Sequence, residues 1–168
     1  MKILIAHAGK TGCTREMAEL LASGIPNHEV TLADLNTQAP DPRAFDHVVI
    51  GGSIRFNRIR KGLRRYLKTY GEALAAVPHT LFLCCAFSDQ FAHYMTVAFP
   101  ANVRATAADA LYFGGDLSLS RQKGLDKFFT RLLRNGIKDG EEDGLVLPCL
   151  LPEHVRVLAD RLRLVDSK

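Results

Sequence analysis

The sequence predicts an α/β domain built on a parallel sheet that is wound on both sides by helices. Two observations predict it. Five short apolar runs alternate with amphipathic segments along the chain. The connections between them are short, and Gly or Pro stands at several of the breaks. Strands that carry apolar side chains at nearly every position suit a sheet buried on both faces.

The elements follow in order. Lys2 to His7 is a nearly continuous apolar run and reads as the first strand. A glycine-containing loop, Ala8 to Cys13, leads to a helix that Thr14 can cap, with apolar positions Met17, Ala18, Leu20 and Leu21. Gly24 and Pro26 stop it. Val30 to Leu35 reads as the second strand, and Pro40 and Pro42 break the connection after it. His47 to Gly52 is the third strand. A helix is expected from about Arg58 to Ala75, with Gly62 a weak spot inside it. Thr80 to Ala86 reads as the fourth strand, Phe91 to Phe99 as a helix and Ala110 to Gly114 as the fifth strand. Leu125 to Leu133 reads helical, Asp139 to Gly144 as an acidic loop, and Pro152 opens a last helix to Leu164.

Composition bounds the function classes. The 168 residues make one domain, 1–168. Apolar residues are 47% and charged residues 24%, as in ordinary globular chains, so disorder is excluded. No apolar run reaches the length of a membrane span. The short run Ile3 to Ala6 is no signal peptide, and a cytoplasmic protein is expected. Cys13, Cys84, Cys85 and Cys149 lack metal-binding spacing, so reduced thiols and no metal are expected.

In a doubly wound sheet, ligands bind beyond the carboxyl ends of the strands. The first loop sits there and reads AGKTGCT: Gly9, Lys10, Thr11, Gly12, Cys13 and Thr14 follow Ala8. Hydroxyls, a flexible glycine and the N–H groups of a helix start suit one phosphate. Two other readings fail. A nucleoside-triphosphate loop would need glycine where Leu4 stands, and a phosphatase cysteine at Cys13 would need arginine where Glu19 stands. Ser53 to Phe56 and Cys85 to Gln90 leave the ends of the third and fourth strands, so they belong at the same edge.

The first loop and its helix resemble the flavodoxins, whose pattern of hydroxyl residue, any residue, Thr, Gly, any residue, Thr wraps the phosphate of flavin mononucleotide (FMN). Thr11, Gly12 and Thr14 match it, while Gly9 stands where a hydroxyl residue is usual. Thr14 to Ala18 (TREMA), Val48 to Phe56 (VVIGGSIRF) and Leu125 to Leu133 are similar to the bacterial menaquinone-dependent protoporphyrinogen oxidases, which share that fold. The family's long basic loop after the fourth strand is not matched: Phe87 to Thr96 is shorter and has no Lys or Arg. Ser88-Asp89-Gln90 is instead similar to the third flavin loop of ordinary flavodoxins.

The resemblance implies a flavodoxin-like sheet in the order 2-1-3-4-5 and FMN as cofactor. It implies cofactor contacts from Gly9, Lys10, Thr11, Gly12, Cys13 and Thr14, from Ser53, Ile54, Arg55 and Phe56, and from Cys85, Ala86, Phe87, Ser88 and Asp89. Phe56 and Phe87 are candidate ring neighbours, and with no Trp the usual Trp–Tyr sandwich cannot be built. Arg55 and Arg58 bring positive charge to the flavin loop, which should favour a reduced, anionic flavin and a higher potential than that of flavodoxins.

No side-chain nucleophile or acid/base pair stands out. His7 is expected as a core or loop histidine, and His93 is the weaker candidate for a proton donor near the ring. The basic residues Arg55, Arg58, Arg60, Lys61, Arg64, Arg65 and Lys68 crowd one segment, with Arg58, Lys61, Arg65 and Lys68 at helical spacing. A second set, Arg121 to Lys138, lies among Phe128, Phe129, Leu132 and Leu133. A solvated helix face is the commoner meaning of such a stripe. An anionic substrate or peripheral contact with acidic lipid is the functional one, and nucleic acid is not expected. The expected function is an FMN-dependent oxidoreductase acting between a porphyrinogen and a quinone. The alternatives are an electron carrier with its own redox partner, or a binding module that has lost its flavin.

Overall fold

The computed structural model describes residues 1–115 and 149–165. Strand β1 (Lys2–Ala8) is followed by α1 (Cys13–Gly24), β2 (Glu29–Asp34), β3 (His47–Arg55), β4 (Arg58–Ile59) and α2 (Lys61–Ala75). Then come β5 (His79–Cys84), α3 (Phe91–Ala98), α4 (Ala101–Thr106), β6 (Asp109–Tyr112) and a last helix, here α5 (Pro152–Val165). Five parallel strands form the main sheet in the order β2-β1-β3-β5-β6. Counted as parallel strands alone, this is the expected order 2-1-3-4-5.

Side-chain alternation along β1 explains the layers. Ile3 and Ile5 pack with Met17, Ala18 and Leu21 of α1 and with Val155, Leu158 and Leu162 of α5. Leu4, Ala6 and Ala8 pack on the other face with Leu63, Tyr66, Leu67 and Leu74 of α2. Ile3, Leu4, Ile5, Val48, Val49 and Ile50 are all fully buried, each stabilising the fold by roughly 1.5–3 kcal/mol through its removal from water.

Four expectations are corrected. The helix expected from Arg58 begins at Lys61, because the chain first turns back at Phe56 and Asn57 and pairs Arg55 with Arg58 and Ile54 with Ile59. Arg58 therefore lies on a strand and does not share a helix face with Lys61, Arg65 and Lys68. Thr14 is not the cap of α1. Gly12 occupies that place and Thr14 is buried inside the first turn. The fourth parallel strand ends at Cys84, so Cys85 and Ala86 belong to the loop. Helix α4 was not expected; Pro100 precedes it and Val103 anchors it, fully buried. The expected helix Leu125 to Leu133, the second basic set and the acidic loop lie outside the described residues.

Gly62 has a tertiary reason. A Cβ there would collide with the Leu35 carbonyl and stand 2.8 Å from the Asn36 nitrogen. The glycine lets the start of α2 lie directly on the end of β2, where Arg65 also donates to the Leu35 carbonyl at 3.4 Å.

Candidate functional site at the carboxyl edge of the sheet

Register brings three loops to one edge. Ala8 pairs with Gly52, and Ser53 with Cys84, so the loops after β1 and β5 leave at nearly the same level on either side of β3, which runs on to Arg55 before its hairpin. Of the sequence-predicted residues, Gly9 to Gly12, Phe56 and Cys85 to Asp89 are on these connections. Cys13 and Thr14 form the first turn of α1, and Ser53 to Arg55, expected in a loop, continue β3 because Ile54 and Arg55 pair with β4.

The first loop is an open cradle. Gly12 caps α1 at φ 91°, a left-handed conformation that glycine adopts without strain. Glu16 N–H is bonded to the Gly12 carbonyl at 2.9 Å, so the N–H groups of Cys13, Thr14 and Arg15 precede the first intrahelical bond. Thr14 is only 1% exposed; its hydroxyl meets no partner in full hydrogen-bond geometry, and its polar neighbour is the weakly accepting Cys84 sulfur. Gly9 faces the hydroxyl: a Cβ at residue 9 would stand 2.9 Å from both Cβ and Oγ1 of Thr14. Gly9 is thus what leaves room for the Thr14 side chain. A serine or threonine in its place would have to displace it. From the other side Asn36 Nδ2 donates to the Gly9 carbonyl at 3.2 Å and to Asp34 at 2.7 Å, which ties the loop to the end of β2. The Thr11 hydroxyl lies 3.5 Å from the Cys13 sulfur.

His7 ends β1 just before this cradle. It is buried, as expected, and burial pushes its pKa down, partly offset by Asp34. A neutral imidazole is the form that this site favours.

The second loop is a tight hairpin. Phe56 and Asn57 take φ 49° and 55°, the paired left-handed values that reverse two antiparallel strands in two residues. The Arg55 guanidinium carbon stands 5.5 Å from the Phe56 ring centre, within cation–π range, and partial burial lowers the Arg55 pKa. Phe56 is 57% exposed, so its ring presents apolar surface at the edge. His93 of α3 places Nε2 3.2 Å from Asn57 Oδ1. That histidine contacts the tip of the hairpin.

The third loop is held from β6. The Tyr112 hydroxyl donates to the Cys85 carbonyl at 3.0 Å, and Cys85 N–H donates to the Gly114 carbonyl at 3.0 Å. Phe87 is half-buried, while Ser88 to Gln90 form an exposed turn. Burial pushes the Cys84 thiol up to about 12, with the Thr14 hydroxyl offsetting it in part, and the Cys85 thiol up to about 11. Both stay protonated at neutral pH and are poor nucleophiles. Among the described residues no group of His, Cys, Asp or Glu could hold a metal ion.

Asn36, Asn57 and Tyr112 were missed by sequence reasoning. An Asn at a turn between Ile54 and Ile59 was a legible hairpin signal. The supporting roles of Asn36 and Tyr112 depend on residues distant in sequence and left no local trace.

The cradle fits a phosphate monoester by its donors. It offers the N–H groups of a helix start, a buried hydroxyl, and a notch that any side chain at residue 9 would fill. No helix among the described residues is long and apolar enough to cross a membrane.

The chain is similar in sequence and in fold to known proteins. Over 85 residues the chain is 29% identical to protoporphyrinogen IX dehydrogenase [quinone] of Escherichia coli K12, covering 49% of this chain and 47% of that protein. The chain's match thus spans about half the length of that relative. An NADH:FMN oxidoreductase in its apo form superposes with a TM-score of 0.51 at 11% identity, over 67% of this chain and 74% of the other. A Fusobacterium nucleatum flavodoxin bound to flavin mononucleotide gives 0.47 at 12% identity, over 66% of this chain and 68% of that one. A family model described as flavodoxin domain matches residues 4–143, the stretch that holds all three loops, and the chain belongs to the flavodoxin domain family.

Proposed function

We propose that the protein is an FMN-dependent oxidoreductase similar to the menaquinone-dependent protoporphyrinogen dehydrogenases. The observation that carries this reading is the first loop, where a buried Thr14 hydroxyl, with the Cys84 sulfur as its polar neighbour, faces the notch left by Gly9. A phosphate oxygen is a stronger acceptor for this hydroxyl than that sulfur. Gly9, Lys10, Thr11, Gly12, Cys13 and Thr14 would hold the phosphate. Ser53, Ile54, Arg55, Phe56, Cys85, Ala86, Phe87, Ser88 and Asp89 would border the ring.

A bound flavin supplies two-electron redox chemistry. The chain's own part is binding and tuning. Phe56 offers an apolar face, Ala86 lies on a loop that Tyr112 and Gly114 hold through the Cys85 backbone, and Arg55 adds positive charge. That charge favours the more negative, reduced state and predicts a midpoint potential above that of flavodoxins. The substrate of this reading is a porphyrinogen, with a quinone as electron acceptor. The activity for which the Escherichia coli relative is named supports it.

The test is a visible spectrum of the purified protein before and after FMN is added, followed by gel filtration. Flavin bands that stay with the protein are expected, and porphyrinogen oxidation with a quinone acceptor is then assayed. A protein that retains no added FMN overturns the redox reading. One that retains FMN without oxidising a porphyrinogen is an electron carrier.

A further inference from the structure

We infer that a groove between the β3–β4 hairpin, α2 and α3 binds an amphipathic organic anion, an apolar body that carries a carboxylate. The groove encloses about 420 Å³, within the range of small-molecule sites. Arg58, Arg64 and Lys68 line it together with Leu67, Val97 and Phe99, and no acidic residue does. Leu67 is 7% exposed and Phe99 2%, so the apolar part is a floor and not a rim. None of its lining residues is among those assigned above to the cofactor, although Asn57 and Arg58 belong to the hairpin that carries Arg55 and Phe56.

Electrostatics makes the groove unusual. Among the described residues, the side chains of Arg58, Arg64 and Lys68 form no ion pair or hydrogen bond. Helix α2 has no acidic residue in its first turn, its N-cap Arg60 makes no side-chain cap, and Arg60 Nε is buried without a partner. Cations at a helix start oppose the positive end of the helix dipole and repel one another. Such conflicts between sequence and local stability persist where a ligand relieves them. A small inorganic anion would answer the charges and leave the apolar floor wet. A neutral apolar ligand would cover the floor and leave three cations unanswered. Only a ligand with both parts satisfies both surfaces.

The groove also touches the hairpin. Asn57 lines it and is at the same time the residue that His93 contacts at 3.2 Å. Occupation of the groove therefore bears on the turn that presents Phe56.

Fluorescence titration of the whole protein with 1-anilinonaphthalene-8-sulfonate tests the inference, with laurate and inorganic phosphate as competitors. Saturable binding of one probe per chain is expected, displaced by laurate but not by phosphate at equal concentration. In the double variant Arg64→Gln, Lys68→Gln, affinity should fall ~10-fold or more, the loss expected when a charge-assisted contact is removed. Its melting temperature should be unchanged or higher, because both side chains are exposed and repulsion is relieved. Thr96→Trp, at the exposed rim, should block the groove without touching a charge. Absence of saturable binding, unchanged affinity in both variants, or displacement by phosphate as readily as by laurate would overturn the inference.

Discussion

Two places near the carboxyl edge of the sheet answer negative charge in opposite ways. The first loop does it with backbone N–H groups and one buried hydroxyl, on a frame of small residues where even a methyl group at Gly9 collides. The groove beside the hairpin does it with three long cations over an apolar floor. Fixed backbone donors suit a small anion of set shape, because they need no ordering when it arrives. Flexible Arg and Lys side chains tolerate varied shapes and lose entropy on binding. On the function proposed here, the first place is a socket for an invariant group, and the other suits a ligand whose body carries the specificity.

Breaking the socket should give the largest effect. In Gly9→Val the new side chain must displace Thr14, so FMN retention should fall ~100-fold or more while probe binding in the groove stays unchanged. Equilibrium dialysis against FMN, run beside the fluorescence titration, checks both. Loss at both places together would show that they are not separate.

The next effect in size belongs to neither region and serves as their control. His47 lies at the opposite edge of the sheet, with Nε2 3.0 Å from the Thr80 hydroxyl, and burial and the neighbouring His79 push its pKa down to about 4. The unfolded chain then binds the proton more readily than the folded one. Stability due to neutral His47 is full above the ordinary value of 6.5 and is lost as pH falls from there toward about 4, by at most about 3 kcal/mol. Melting curves over this window should show the decline, and His47→Gln should flatten it. A decline of the same steepness in that variant would assign the acid sensitivity to another group, His7 first among them.

Thr14→Val sharpens the comparison because its two effects have opposite signs. Losing the hydroxyl should weaken FMN ~10-fold, yet removing a buried hydroxyl that meets no partner in full hydrogen-bond geometry should leave the flavin-free protein as stable or more so, by about 1 kcal/mol. Denaturant melts with and without FMN read both. A flavin-free protein clearly destabilised by this change would mean that the hydroxyl serves the fold, through its neighbour Cys84, more than the ligand.

The smallest effect is expected at the hairpin tip. Phe56→Gly relieves a left-handed backbone but gives up the ring beside Arg55, so stability should change by less than about 1 kcal/mol. Any larger loss on thermal melting would show that the exposed ring holds the hairpin in place.

Much of the scaffold was legible because its signals are local. Apolar runs such as Ile3 to Ala6 and Val48 to Ile50 can only be strands buried on both faces once helices alternate with them. The hairpin at Phe56 and Asn57 was hidden by the basic run after it, which carries a helical period starting from Arg58. Gly62 looked like a flaw in a helix, since its purpose is the carbonyl of Leu35 on another element. Gly9 looked like a missing hydroxyl, since its purpose is the side chain of Thr14.

By itself the sequence determined the alternation of strands and helices, the faces that are buried, and the place of the glycine-containing loop between β1 and α1. Hydrophobic period, glycine position and helix-start chemistry act within a few residues and can be read in order. Tertiary structure decided which strands are neighbours, and so that Ala8 and Cys84, the ends of β1 and β5, flank Gly52 and Ser53 of β3. It also decided that Asn36 and Tyr112 support loops distant in sequence, and that Arg58, Arg64 and Lys68 share a groove with Phe99. Those relations arise from packing between elements far apart in the chain, where no local pattern records the distance.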